Sequence, residues 1–227
     1  AKAAYVYDSR TKAILFALNE NTRMPLASLT KLMSALVARD LSPAYGTVTI
    51  SKEALSADGD SGLRPGERFS LKDLLDFSLI SSSNDGIRAV ALALGALERF
   101  DAGTEEIIQD FVIEMNKKAA ELDLKNTYFW NETGLDESEM KGGAYGTARD
   151  MAMLLEHIIA YRPEILEATK ESSLSVSSLD GFKHEAKNTN ILTGLIPGFL
   201  GSKTGFTSTA GGNLVFAFDP ELGRPII

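Results

Sequence analysis

The sequence predicts an α/β fold in two lobes, and three observations carry that expectation. Short β-like runs sit at both ends of the chain, helical periodicity fills the middle, and one early helix is almost free of charge. A helix or a sheet must bury its apolar face against another element. The simplest assembly is therefore one antiparallel sheet built from both termini, with an all-helical lobe inserted between them. The 227 residues are expected to form one domain. Its α/β lobe falls at about 1–50 and 160–227 and its helical lobe at about 51–159, within the size one core can support.

Taken in order, Tyr5-Val6-Tyr7 and Ala13-Ile14-Leu15-Phe16 read as two strands joined by the polar turn Asp8-Ser9-Arg10-Thr11. Residues 28–38 read as a helix. Leu29, Leu32, Met33, Leu36 and Val37 recur there at i, i+3, i+4, i+7 and i+8. Thr47 to Ile50 suits a small strand, and residues 59–66 form a Gly-, Asp- and Ser-rich loop. Ser70 opens the next helix with Asp73 as its capping partner, and Leu71, Leu74, Leu75 and Leu79 form its stripe. That helix breaks at Ser81 to Asn84, and another starts near Asp85. Further amphipathic helices cover 105–122 and 148–160. Residues 172–178 alternate serine with Leu174 and Val176, the pattern of an exposed strand. Residues 213–218 and the stretch from Arg224 onward also read as strands.

Composition narrows the function. A formal net charge of -8 argues against a nucleic-acid partner, which would want a basic face. There are no cysteines, so disulfide, thiolate and cysteine-based metal chemistry are absent, which is compatible with any compartment. No run of about 18 apolar residues could span a membrane. The chain begins at Ala1 without a signal-like segment. It ends on Pro225-Ile226-Ile227, which reads as the start of a strand, and the natural protein is expected to continue.

Three motifs carry chemistry: Ser28-Leu29-Thr30-Lys31, Ser82-Ser83-Asn84 and Lys203-Thr204-Gly205, the S-x-x-K, S-x-N and K-T-G trio of serine acyl-transfer enzymes. S-x-x-K alone is weak, because it recurs at Ser9 to Lys12, in a turn, and at Ser138 to Lys141, in a polar loop. Only Ser28 stands at the head of a helix, where free N–H groups and a partial positive charge favour an alkoxide. From Ala27 to Ala38 the only charged residue is Lys31. A helix without a polar face is buried, and burial lowers a lysine's pKa. Spacing of three sets Lys31 beside Ser28, so a neutral amine there is a general base. The alternative is a lysine that snorkels to the helix end. Ser82-Ser83-Asn84, taken alone, is a capping turn between helices, and Lys203-Thr204-Gly205, taken alone, is a turn before a strand.

Together their order fits distinct roles. Ser82 can pass a proton between Lys31 and a leaving amine, and Asn84 can bond a substrate amide. Lys203 and Thr204 can hold a carboxylate, and Gly205 lets a substrate backbone approach. The backbone N–H groups of Ser28 and Phe206 would form an oxyanion hole. The only histidines are His157, in an amphipathic helix, and His184, in a turn-like stretch. Neither has metal-ligand spacing, so no metal or other cofactor is expected.

On these residues the chain resembles the penicillin-binding D-alanyl-D-alanine carboxypeptidases, the low-molecular-mass serine DD-peptidases. The likeness runs beyond the three motifs. It includes the nucleophile segment from Pro25 to Met33, Leu63-Arg64-Pro65-Gly66-Glu67, the N-x-x-G-L stretch from Asn131 to Leu135, Thr147-Ala148-Arg149-Asp150-Met151-Ala152, Asn188-Thr189-Asn190, and KTGFTSTAGGNL over 203–214. The resemblance implies a β-lactamase/transpeptidase-like fold with the active site between its lobes. It implies removal of the terminal D-Ala from peptidoglycan pentapeptide stems through a Ser28 acyl-enzyme. It further implies covalent inhibition by β-lactam antibiotics and an extracytoplasmic location, in the periplasm or on the outer face of the cytoplasmic membrane. Many members carry a β-rich domain and a C-terminal anchor, which this chain does not show. Ser83 and Phe206 depart from common family patterns, where glycine and histidine are frequent.

Three other readings stay open at this point. A class A β-lactamase would need a glutamate in an E-x-x-x-N-like loop, and the nearest candidate, Glu132, lacks the asparagine. A DD-endopeptidase would act on the same D-Ala bond. A non-catalytic cell-wall binding domain would be favoured by a broken motif, and all three motifs are intact.

Overall fold

In a computed structural model, which describes residues 1–96, 102–221 and 223–227, each terminus contributes a hairpin. Strands β1 (Ala4–Tyr7) and β2 (Ile14–Leu18) form the first. The chain then passes through β3 (Met24–Pro25) and a 3₁₀ turn over Ala27–Leu29 into helix α1 (Thr30–Leu41). Strands β4 (Thr47–Thr49) and β5 (Arg68–Ser70) pair with each other and lead into α2 (Leu71–Ser81) and α3 (Asn84–Gly95). Helix α4 (Thr104–Glu121), strands β6 (Tyr128–Phe129) and β7 (Ala144–Gly146), and helix α5 (Ala148–Tyr161) follow. The hairpins β8 (Ser173–Ser177) with β9 (Lys183–Lys187) and β10 (Phe199–Thr207) with β11 (Gly211–Phe218) complete the chain.

The expected antiparallel sheet from both termini is joined by two residues. Ile227 exchanges backbone hydrogen bonds with Tyr7 at 3.0 and 3.1 Å, and Ile226 exchanges them with Phe218 at 3.0 and 2.8 Å. Ile226 and Ile227 thus lie between β1 and β11 and pair with both. Helix α5 packs on β1 and β11 from one side and on α1 from the other.

Helix α1 behaves as its charge-free stretch predicts. Every residue from Thr30 to Ala38 is buried, and the helix packs against α2, α3, α4 and α5. Its start differs slightly from expectation. Ser28 lies in the 3₁₀ turn, and the α-helix proper begins at Thr30. Ala27 takes a left-handed backbone (φ 48°), and the Thr30 hydroxyl donates to its carbonyl at 2.7 Å, which tightens the entry. Ser70 caps α2 as read from the sequence. It accepts from the Asp73 N–H at 3.1 Å and donates to the Asp73 carboxylate at 2.6 Å.

Two segments differ from the sequence reading. His184 is not in a turn. It sits on β9, buried against Phe69 and Phe77 and 2.6 Å from the buried Glu67 carboxylate. The run Lys183 to Lys187 alternates charged and small or buried groups, so only one face is apolar enough to signal a strand, and its two inward residues are His184 and Ala186. The Lys203-Thr204-Gly205 motif lies inside the nine-residue strand β10, not in a turn before a strand. Gly201, Ser202 and Gly205 dilute the β signal there, while pairing to β11 imposes the extended backbone.

Candidate active site

Four segments converge on Ser28. Strand β3 pairs with β7, and the Leu26 N–H donates to the Ala144 carbonyl at 3.0 Å, which fixes the chain just before the nucleophile turn. The loop between β6 and β7 passes behind that turn. There Asn131 accepts from the Gly134 N–H at 2.7 Å and donates to the Leu135 carbonyl at 2.9 Å. Gly134 has φ 81°, and a Cβ on it would stand 1.9 Å from the Ala27 carbonyl oxygen. No other residue fits that position. The α2–α3 junction supplies Ser82 and Asn84, and β10 supplies Lys203 to Phe206.

Lys31 is fully buried, and its amine has three oxygen partners: Ser28 Oγ at 2.8 Å, Asn84 Oδ1 at 2.7 Å and the Thr133 carbonyl at 2.8 Å. The Asn84 amide is oriented by its other end, where Nδ2 donates to the Asp58 carbonyl at 2.6 Å. Two of the three partners are thus carbonyl-type oxygens that can only accept. A neutral amine has two N–H donors and one lone pair. If those donors go to Asn84 and Thr133, the lone pair faces the one partner that can also donate, the Ser28 hydroxyl. Burial pushes the Lys31 pKa well below its ordinary value, and the nearby cation Lys203 pushes it the same way, while Glu132 opposes them. The cage can therefore draw the proton from Ser28 and leave an alkoxide.

The second cluster lies across the cleft. Lys203 is 1% exposed, and its amine donates to Ser82 Oγ at 3.0 Å and to the Thr204 carbonyl at 2.9 Å. Burial lowers its pKa to about 7. Ser82 itself sits in the left-handed region (φ 62°) at the end of α2, a conformation that costs a serine of order 1–3 kcal/mol. The sequence reading made Ser82 a proton carrier between Lys31 and a leaving amine. The structure pairs Ser82 with Lys203 and Asn84 with Lys31.

The two clusters meet at β10. A Cβ on Gly205 would lie 2.9 Å from the Ser28 nitrogen and 3.1 Å from the Leu26 carbonyl oxygen, so the strand presses directly on the nucleophile turn. Thr204 Oγ1 is 2.5 Å from Thr189 Oγ1, which seats β10 against residues 188–190. Phe206, 75% exposed, stands at the cleft rim. Asp136 accepts from Thr207 Oγ1 at 2.8 Å and from the Thr209 N–H at 3.1 Å, tying the β6–β7 loop to the β10–β11 turn. Ser83, which departs from the glycine common at that position, has a structural task. Its buried Oγ accepts from the Gly86 N–H at 3.0 Å to cap α3 and lies 2.6 Å from Ser61 Oγ.

The other two S-x-x-K matches do not form sites. Lys12 pairs with Glu156 on α5, and Lys141 lies over the Trp130 ring at 4.8 Å. Sequence reasoning missed the Thr133 carbonyl, because a backbone acceptor leaves no side-chain signature. The one available signal was the N-x-x-G-L stretch around it. Among the described residues no group of three histidine or carboxylate side chains could hold a metal ion.

Comparison with known proteins agrees with this geometry. The family model for D-alanyl-D-alanine carboxypeptidases matches residues 1–221. The D-alanyl-D-alanine carboxypeptidase DacF of Bacillus subtilis is 36% identical over 216 residues, covering 92% of this chain and 52% of that protein. A D-alanyl-D-alanine endopeptidase of Pseudomonas aeruginosa is 31% identical over 222 residues, covering 94% of this chain and 65% of that one. The chain thus spans about half to two thirds of the length of these relatives. The crystal structure of the Streptomyces K15 DD-transpeptidase superposes with a TM-score of 0.88 at 25% identity, covering all of this chain and 87% of that one.

The tight seat of Gly134 gives a controlled prediction. Gly66 has almost the same φ, 80°, with no atom within 4 Å of a built Cβ. Gly66→Ala should cost only backbone strain, about 1–2 kcal/mol. Gly134→Ala should cost clearly more, because Ala27 and Thr30 must move. Urea unfolding of both variants checks this, and equal losses would mean that the contact behind the nucleophile turn is slack.

Proposed function

The chain belongs to the D-alanyl-D-alanine carboxypeptidase family, and we propose that it is a serine-type D-Ala-D-Ala carboxypeptidase acting through an acyl-enzyme on Ser28. The observation that carries the proposal is the three-oxygen cage around Lys31, in which only Ser28 can donate a proton to the amine.

In this reading residues 1–227 form one catalytic domain, and a peptidoglycan stem peptide lies along β10. Its terminal carboxylate is held by Lys203 and Thr204, and its scissile carbonyl points at the Ser28 and Phe206 N–H groups. Lys31 takes the Ser28 proton as Oγ bonds to the carbonyl carbon. The tetrahedral intermediate collapses as the C–N bond breaks, and the departing D-Ala amine receives a proton. Ser82, bonded to Lys203, is the group that delivers it, taking in turn the proton that Lys31 took from Ser28 and so leaving Lys31 neutral again. Asn84 holds Lys31 through Oδ1, and the second N–H of its Nδ2, whose first is on the Asp58 carbonyl, can bond a substrate amide. Water then attacks the acyl carbon, neutral Lys31 takes its proton, and that proton passes to Ser28 Oγ as the ester bond breaks and the shortened peptide leaves as a carboxylate.

The burial of Glu132 favours this reading over a β-lactamase. Its carboxylate is 0% exposed and bonded to Arg88 at 2.9 Å, so it does not offer the cleft a base for a deacylating water. Penicillins are therefore expected to acylate Ser28 and leave slowly. An extracytoplasmic location follows from the substrate class, and no helix among the described residues is long and apolar enough to cross a membrane. The endopeptidase reading stands second, because one 31%-identical relative carries that name.

Two experiments test the proposal. Ser28→Ala should fold normally and lose covalent labelling by a penicillin in intact-mass spectrometry, and labelling that persists at another serine would contradict it. The second concerns Lys203, which is cationic below its pKa and neutral above it. For a pentapeptide with a free C-terminal D-Ala, kcat/KM should fall as pH rises above about 7. The amidated peptide should lack that fall. Below pH 7 it should react roughly ten- to a hundredfold more slowly, the worth of one charge-assisted hydrogen bond. Equal kcat/KM for the two peptides across the range would favour the endopeptidase.

A further inference from the structure

A second polar layer lies directly behind the Lys31 cage, and each of its members is one step along from a cage member. Ser34 is one turn after Lys31 on α1, Arg88 is one turn after Asn84 on α3, and Glu132 immediately precedes Thr133. The layer is bonded as a unit. Ser34 Oγ donates to the Glu132 carbonyl at 2.6 Å, so residues 132 and 133 are stapled to α1 at two successive carbonyls. Arg88 Nε donates to Glu132 Oε1 at 2.9 Å. Glu132 Oε2, equally buried, has no hydrogen-bond partner among the described residues. A buried carboxylate with one oxygen unpaired is costly unless its charge does something there.

We infer that the Arg88–Glu132 pair is a positioning and tuning device for the general base: Glu132 supplies the fixed negative charge that sets the proton affinity of Lys31, and Arg88 attenuates it. The inference rests on the reading of Ser28 as nucleophile and Lys31 as base. Two forces weaken Lys31 as a base, its burial and the cation Lys203 on β10, and Glu132 is the group that opposes them. Without that opposition the amine would hold the serine's proton less tightly still. The best general base has a pKa near the working pH. The remaining acid on α3 near the cage, Asp85, is engaged elsewhere, accepting from the Ser61 N–H at 3.1 Å. Within the N-x-x-G-L stretch the Glu132 carboxylate is fully buried and bonded to Arg88, which keeps it from serving as a base for water.

The signs of the two half-substitutions differ, and this separates tuning from mere support. Glu132→Gln removes the anion, so Lys31 should bind its proton less tightly and the acid limb of the acylation profile should move to lower pH. Arg88→Gln removes the attenuating cation, so the limb should move to higher pH. Each shift should be about one pH unit, the size that a unit charge roughly 12 Å away gives at an effective dielectric of about 20. The measurement is the second-order rate of Ser28 acylation by a fluorescent penicillin from pH 4 to 9 on the folded chain, with thermal melting as the control. Opposite shifts support the inference. An unmoved midpoint, or shifts in the same direction, overturns it even if both variants are slower or less stable. If Glu132→Gln fails to fold, Arg88→Gln decides alone, since the Arg88 side chain is 23% exposed and its amide can reach water: an upward shift supports the inference and an unmoved midpoint overturns it. A wild-type chain that is not labelled, or labelled without an acid limb, overturns the base assignment and this inference together.

Discussion

The structure depends on one costly arrangement, a lysine amine held out of water inside a helix. Lys31 is surrounded on α1 by buried, mostly apolar side chains, and among the described residues no carboxylate is hydrogen-bonded to its amine. An isolated buried ammonium is so unfavourable that the group neutralises instead. What would be a defect in a core is, in the proposed function, the source of reactivity. The neighbouring features make the arrangement tolerable: two carbonyl-type oxygens satisfy the amine's donors, a distant anion limits the fall in its proton affinity, and Ser28 takes the remaining direction.

The supports of that amine come from sequence segments far apart, which is why the fold matters to it. Asn84 lies 53 residues from Lys31 and Thr133 lies 102. The β3–β7 pairing brings the loop that bears Thr133 behind the nucleophile turn, and the left-handed Gly134 lets the two backbones touch. Backbone strain is placed at the same spot. Ala27, just before the nucleophile, and Ser82, on the opposite wall, are both non-glycine residues with positive φ. Strained conformations of this kind persist only where the surroundings over-determine them. Here the capped ends of α2 and α3 and the pressure of β10 do so.

Much of this was legible in the sequence because it rests on side chains with local consequences. The charge-free run around Lys31 identified a buried helix and a perturbed lysine. Ser70 and Asp73 marked a helix start, and the Leu/Val alternation at 172–178 marked an exposed strand. The three motifs named the candidate groups, but not which of them bond to one another. Ser82 bonds to Lys203 because the helix end at 82 faces β10, and nothing local to Ser82 encodes that. The Thr133 carbonyl left no trace, since every residue has one. The Lys203 motif, taken alone, could pass for a turn because Gly201 and Gly205 dilute the β pattern, and at 205 a side chain would strike the Ser28 backbone. His184 was misplaced because a strand with one polar face and only two inward residues looks like a turn.

The account stands on Lys31 being largely neutral in the folded protein near neutral pH, and that can be measured directly. Lysine side chains labelled with ¹³C at Cε change shift when the amine loses its proton, and the Lys31 signal is assigned by its disappearance in Lys31→Arg. The account predicts that this signal titrates well below the ordinary lysine range near 10.4. A Lys31 signal that stays in the protonated position up to pH 10 would contradict the account, because a permanently charged amine cannot take the serine's proton.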